Sequence, residues 1–150
     1  KAEDLQNAIE LALKVDSQII IEEFIQGTEV TCGVIQWQGQ IMALPITEIV
    51  SQKEFFDFEA KYQGQSEEIT PARLPQDVYT QVQRNSEAIY KALDCKGMIR
   101  VDYIIRDTNI FVIEVNTTPG FSEASIIPQQ AGVQGISKTE LITAVISSCF

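Results

Sequence analysis

The chain contains no histidine, and that absence removes several chemistries together. His-based triads, His-ligated zinc and imidazole general bases are excluded, and Cys–His nucleophilic catalysis within the chain goes with them. Cysteine is scarce. Cys32, Cys95 and Cys149 are widely spaced and odd in number, form no zinc or redox motif, and fit a reducing cytoplasm. Basic charge is short as well, with 11 Lys and Arg against 21 Asp and Glu, for a net charge of −10. That balance argues against nucleic acid, whose binding depends on basic neutralisation of phosphate. No apolar run approaches the ~20 residues of a membrane span. The opening residues do not read as a signal peptide, and no internal repeat or low-complexity tract is present. Lys1 falls partway into a helical pattern, as it would in a piece of a longer protein.

What remains is a 150-residue chain that is 45% hydrophobic, enough for one core, or for one domain plus part of another. Residues 3–14 read as an amphipathic helix with Leu5, Ala8, Ile9 and Ala12 on one stripe. QIIIEEF (Gln18 to Phe24) reads as a buried strand, and Gly27 as a turn. Thr28 to Trp37, a Gln38-Gly39 turn and Gln40 to Val50 make a long hairpin. Residues 51–66 lack clean periodicity but carry three Phe and a Tyr, so they read as a functional loop rather than plain disorder. Pro75 to Asp94 is a helix with the stripe Val78, Val82, Ile89, Leu93, closed by Gly97. A short helix starts near Ser125, and Ser137 to Glu140 form a capping box that opens a last helix to about Ser148. The sum is an α/β (α+β) domain with a mainly antiparallel sheet and helices on one side.

The chemistry concentrates in two short apolar runs, MIRVDYII (Met98 to Ile105) and NIFVIEVN (Asn109 to Asn116). Side chains two apart on a strand share a face, so Arg100 points with Asp102, and Glu114 with Asn116. The link between the runs is too short for a parallel crossover, so they form an antiparallel hairpin. A three-residue turn at Asp107 to Asn109 sets Asp102 opposite Glu114 and Arg100 opposite Asn116. Opposed Cβ atoms lie roughly 5 Å apart, so the two carboxylates repel unless a cation sits between them. Oxygen donors with nothing softer suit a hard ion such as Mg²⁺. The plainer reading is a solvated hairpin face with Arg100 and Glu114 as a surface pair. Against it stands the exit from the second strand, where Pro119-Gly120 makes a turn and Gly120 can bring a bare backbone N–H close to a ligand.

The stretches FFDFEAKY (Phe55 to Tyr62), CKGMIRVDY (Cys95 to Tyr103) and IEVNTTPGFSEASIIP (Ile113 to Pro128) resemble, in this order and spacing, the D-alanine:D-alanine ligase family of ATP-grasp enzymes. The resemblance covers essentially the whole chain. It implies an ATP-grasp C-terminal domain over residues 29–150, with residues 1–28 as the tail of the middle subdomain. It also implies that D-alanine and ATP are the substrates. Asp102, Glu114 and Asn116 would then hold Mg²⁺, two ions with Glu114 bridging, or Mn²⁺ in their place. Arg100 and the Gly120 N–H would stabilise the transferring phosphate and the oxyanion, and Ser125 would hold the carboxylate of the second D-alanine. Glu22, Glu23, Phe24 and Ile25 match the adenine-binding hinge, with Lys where Glu23 stands in many members, and Glu29 would reach the ribose. Lys61 would meet ATP phosphate and Tyr62 would seal the pocket, both on the 51–66 loop. Phe56 and Phe58 stand where relatives have Tyr, which removes hydroxyl bonds. Members making D-alanine:D-lactate carry a His in this loop, so its absence favours the dipeptide.

The resemblance further implies an N-terminal domain and a glycine-rich phosphate loop, neither visible in this sequence. The 150-residue piece alone is expected to be inactive, and the intact enzyme to be a cytoplasmic homodimer serving peptidoglycan precursor synthesis. Two other readings stay open: another ATP-grasp carboxylate–amine ligase with a different acceptor, and a non-catalytic nucleotide-binding module.

Overall fold

A computed structural model of the chain describes residues 4–51 and 66–149. Its centre is a six-stranded sheet in the order β4-β3-β1-β5-β6, with β2 also paired to β1. The strands are β1 (Thr28–Trp37), β2 (Gln40–Ala43), β3 (Thr47–Ser51), β4 (Ser66–Ile69), β5 (Met98–Arg106) and β6 (Asn109–Asn116). Every described pairing is antiparallel. The helices are α1 (Leu5–Ala12), α2 (Gln76–Ala92), α3 (Ile126–Val133) and α4 (Lys138–Ser147).

β1 is the spine. Alternation sends Val30, Cys32 and Val34 to one face, where they pack with Val101 and Tyr103 of β5 and Val78, Val82 and Tyr90 of α2. Ile35 points to the other face and meets Leu44, Ile127 and Ala131 of α3 and Leu141 of α4. Helices therefore cover both faces, not one as the sequence suggested. The reason is that the short helices after β6 carry apolar residues of their own, which need the second face of the sheet.

Gln38 and Gly39 both take positive φ (50° and 79°) in the β1–β2 turn, the conformation that a two-residue hairpin requires. The strand expected over 40–50 is broken at Leu44-Pro45-Ile46. Proline cannot donate to a ladder, and the pairing partners of β1 shift by one residue across the break. On α2 the buried stripe runs Val78, Val82, Ser86, Tyr90. Leu93, expected on it, is 57% exposed because it lies at the C-cap, past the last helical turn. Ser86 is accommodated by bonding to Val82 O (2.8 Å) and the Tyr103 hydroxyl (2.7 Å). The capping box of α4 forms as expected, with Ser137 and Glu140 exchanging bonds.

Residues 18–24 form no strand, and Ile20 is 86% exposed. An apolar run becomes a strand only where an edge is offered to it, and no described strand pairs with this one. Helix α1 likewise has no buried residue, although its apolar stripe reads correctly.

Candidate active site

The site lies on the sheet face that carries α3 and α4, beside α3. β5 and β6 bring Asp102 opposite Glu114 and Arg100 opposite Asn116, as the sequence reading required. The route differs from the one expected. The turn has two residues, Asp107 and Thr108, with Asp107 at φ 58°. Asp102 faces Glu114 whereas Tyr103 faces Val112, so Ile113 is an extra residue, a bulge that restores the expected register.

β1 supplies the third strand of the site. Thr31 lies opposite Asp102, and Gly33 opposite Arg100. The Thr31 hydroxyl donates to Asp102 Oδ1 at 2.6 Å, and Arg100 clasps the same carboxylate through Nε to Oδ1 (2.8 Å) and Nη2 to Oδ2 (2.7 Å). Arg100 Nη2 also stands 3.8 Å from Glu114 Oε1. The cation that separates the opposed carboxylates in this arrangement is thus the guanidinium. The side chains of Arg100 and Asp102 are only 12% and 15% exposed, while that of Glu114 is 56% exposed. Bonding to Asp102 raises the Arg100 pKa above its ordinary value, outweighing the opposite pull of burial, and Glu114 and Glu29 add to the rise. A planar fork held from one side this way is a fixed positive charge.

Beyond β6, Asn116 Oδ1 accepts the Thr118 N–H at 3.0 Å, which fixes the start of the turn. A side chain on Gly120 would meet Ser125 Oγ at 2.9 Å, so the bare backbone at 120 and the Ser125 hydroxyl are neighbours. Ser125 is the N-cap residue of α3 but makes no capping bond. Its Oγ instead accepts the Ser122 N–H (2.9 Å) and lies 2.8 Å from Ser122 Oγ. Ser125 Oγ therefore faces the 120–122 turn and does not cap α3, whose third residue, Pro128, has no N–H to offer.

At the turn end of the hairpin, Glu23 Oε1 lies 3.9 Å from Arg106 Nη1, and Arg106 stacks 4.9 Å over the Phe111 ring. Gly27 fits against Ile104 and Ile105 with no room for a Cβ. These contacts lay residues 23–27 beside β5. Glu22 and Phe24 are exposed, Ile25 is half-buried, and Glu29 shares its face with Thr31. Lys61 and Tyr62, with Phe55, Phe56 and Phe58, lie outside the described residues.

Asp102, Glu114 and Asn116 offer hard oxygen donors from adjoining positions, which suits Mg²⁺ or Mn²⁺. A carboxylate has about four lone-pair sites, and Thr31 and Arg100 engage Asp102 at three of them. About one lone-pair site on Asp102 is thereby left over, and Asp102, Glu114 and Asn116 could hold a divalent ion through it together with the exposed Glu114 carboxylate and the Asn116 amide oxygen. Among the described residues no group of three or more Asp, Glu, His or Cys is arranged for a metal, so the site has two carboxylates and an amide to offer. The sequence reading missed Thr31. Its even spacing from Glu29 was visible, but its pairing with Asp102 joins residues 71 apart.

The family described as D-ala D-ala ligase C-terminus matches residues 1–147. The chain belongs to that family. D-alanine–D-alanine ligase of Phocaeicola vulgatus is 46% identical over 149 residues, covering 99% of this chain and 46% of the relative. The enzyme of the same name from Flavobacterium johnsoniae is 49% identical over 143 residues, 95% of this chain and 44% of the relative. Among solved structures, D-alanine–D-alanine ligase from Bacillus anthracis complexed with ATP superposes with a TM-score of 0.80 at 31% identity, over 99% of this chain and 46% of that one. VanG D-Ala:D-Ser ligase from Enterococcus faecalis gives 0.81 at 34% identity, over 97% and 43%. The chain spans under half the length of these relatives. Its fold is the C-terminal ATP-grasp domain of such ligases, and no described helix is long and apolar enough to cross a membrane.

Proposed function

We propose that this chain is the C-terminal ATP- and metal-binding part of a D-alanine:D-alanine ligase, acting in the cytoplasm on peptidoglycan precursors. Residues 29–150 are its catalytic domain and residues 1–28 the tail of the middle subdomain. The rest of the enzyme supplies the first D-alanine site and further ATP contacts, and the intact protein is a homodimer. The observation that carries the reading is the half-buried Arg100–Asp102 clasp beside Glu114 and Asn116, in a chain matched to the family from residue 1 to 147.

In the reaction, a D-alanine carboxylate attacks the γ-phosphate of ATP, releasing ADP and leaving an acyl phosphate. The amine of the second D-alanine then attacks the acyl carbon, and phosphate departs. Neither step needs a protein nucleophile, which accords with a site free of histidine. Both need fixed positive charge and positioning. Arg100 steadies the transferring phosphoryl group and then the oxyanion, the Gly120 N–H completes the oxyanion site, and Ser125 holds the carboxylate of the second D-alanine. Glu22 to Ile25 and Glu29 hold the adenosine, and Lys61 and Tyr62 close over the phosphates. Asp102, Glu114 and Asn116 would hold Mg²⁺ or Mn²⁺, which when bound neutralises ATP phosphate charge.

The test is ADP release by the full-length protein with D-alanine as the only amino acid. D-alanine-dependent release, abolished by Arg100→Ala, supports the reading, and its absence overturns it. The likeness to VanG favours one second reading, a ligase accepting D-serine. Substituting D-serine for the second D-alanine in the same assay separates the two. The 150-residue piece alone is expected to release no ADP.

A further inference from the structure

Gln130 of α3 is fully buried yet polar, and its three hydrogen bonds all run to the sheet or the residues beside it. The Gly33 N–H donates to Gln130 Oε1 at 2.9 Å. Gln130 Nε2 donates to Thr31 O and Thr47 Oγ1, both at 3.0 Å. No buried side-chain polar atom among the described residues lacks a partner, so the network is complete. Such a network fixes one relative placement of its elements, because any slip strands a buried polar group. Gly33 is fitted to it: a Cβ there would stand 2.6 Å from Gln130 Oε1.

What the network joins is specific. Thr31, whose carbonyl Gln130 grips, is the residue whose hydroxyl holds Asp102, and Asp102 in turn holds Arg100. Gln130 also lies on the helix that starts just after Ser125. One side chain thus ties the strand behind the phosphate-facing clasp to the helix that carries Ser125.

We propose that Gln130 is a positioning residue that sets Ser125 relative to the Arg100–Asp102 pair, and so governs capture of the second D-alanine. This rests on the function proposed above. A substrate held at Ser125 by one end and reacting near Arg100 at the other feels a displacement of α3 directly. The adenosine and metal contacts proposed above lie on the sheet and on residues 22–25, none of them on α3, so they stay with the sheet when α3 moves.

The experiment uses the full-length enzyme. Gln130→Met keeps the volume and removes every bond. It is expected to raise the KM of the second D-alanine at least fivefold while the KM of ATP stays within twofold. Gln130→Glu is the conservative rescue. Burial disfavours the charged carboxylate, and in its neutral form, favoured as pH falls, the side chain can both accept from Gly33 and donate to Thr31 or Thr47. The KM of the second D-alanine should then be near wild type at pH 6 and rise severalfold by pH 8.5, beyond any change in the wild type. Equal KM changes for both substrates, or none, in folded and active variants would overturn the inference alone. A wild-type enzyme without D-alanine-dependent ADP release would overturn the proposed function and this inference with it.

Discussion

Replacing Thr31 by Val removes one donor from the clasp and little else. Valine keeps the β-branch and nearly the volume, so strand propensity and packing in β1 persist. What is lost is the 2.6 Å bond from Thr31 Oγ1 to Asp102 Oδ1. A hydrogen bond to a charged group contributes about 1.5–3 kcal/mol. Because Oδ1 keeps the Arg100 Nε donor at 2.8 Å, no acceptor is stranded, and the lower end applies, about 1.5 kcal/mol. For a chain of this size, at roughly 3 °C per kcal/mol, the melting temperature should fall by about 4–5 °C. The assay is urea and thermal unfolding of the chain, with Thr31→Val made both in the wild type and in Asp102→Asn. A bond to a neutral amide is roughly half as strong, so the two substitutions should couple by about 0.7 kcal/mol. Additivity within about 0.3 kcal/mol, or a Thr31→Val chain as stable as wild type, would refute the idea that Thr31 holds the carboxylate.

Glu114→Gln in the full-length enzyme should cut turnover by orders of magnitude while barely moving the melting temperature, since the side chain is largely in solvent and its contact with Arg100 is 3.8 Å; near-normal ADP release would sink its metal assignment. Glu48 provides a pH test. Its bonds from Arg73 hold its pKa below the usual 4.5, so their stabilisation is full above that value and disappears as pH falls through the lowered one. The difference in urea midpoint between wild type and Arg73→Gln should therefore be present at pH 7 and vanish in acid, and a constant difference would contradict the pairing. Thiol labelling separates the cysteines: burial pushes Cys32 up to about 12 while Cys149 is exposed. Maleimide should modify Cys149 in the native chain and reach Cys32 only on unfolding, as read by mass spectrometry.

The elements that the sequence disclosed are those whose signal is local. The 98–116 hairpin declared itself through alternation, α2 through its Pro75 and Gly97 punctuation, and α4 through its capping box. Even there, the register of Asp102 and Glu114 was reached through the wrong turn, since a bulge at Ile113 compensates for a loop one residue shorter than expected. The misses have a common physical origin in partners far along the chain. QIIIEEF is apolar enough for a strand, but apolarity does not say whether an edge is available. β4 is SEEI, four residues with scarcely a β signal, and forms by pairing with β3. Thr31 and Gln130 looked like ordinary polar residues because their meaning lies in contacts across 71 and 99 positions. The roles assigned to Lys61 and Tyr62 rest on the EAKY motif alone.

The bulge at Ile113 has a consequence for how this hairpin can change over generations. Because of it, Phe111 and Glu114 share a side of the ribbon although an odd number of positions separates them. Deleting Ile113 would leave Phe111 and Glu114 two positions apart on a regular strand and still on one side, whereas a substitution that straightened β6 at its present length would turn its acidic half toward the apolar layer beneath α2. All four residues Arg100, Asp102, Glu114 and Asn116 would survive in such a protein, and a comparison by residue identity would pass it as intact, although its reactive surface had been dismantled.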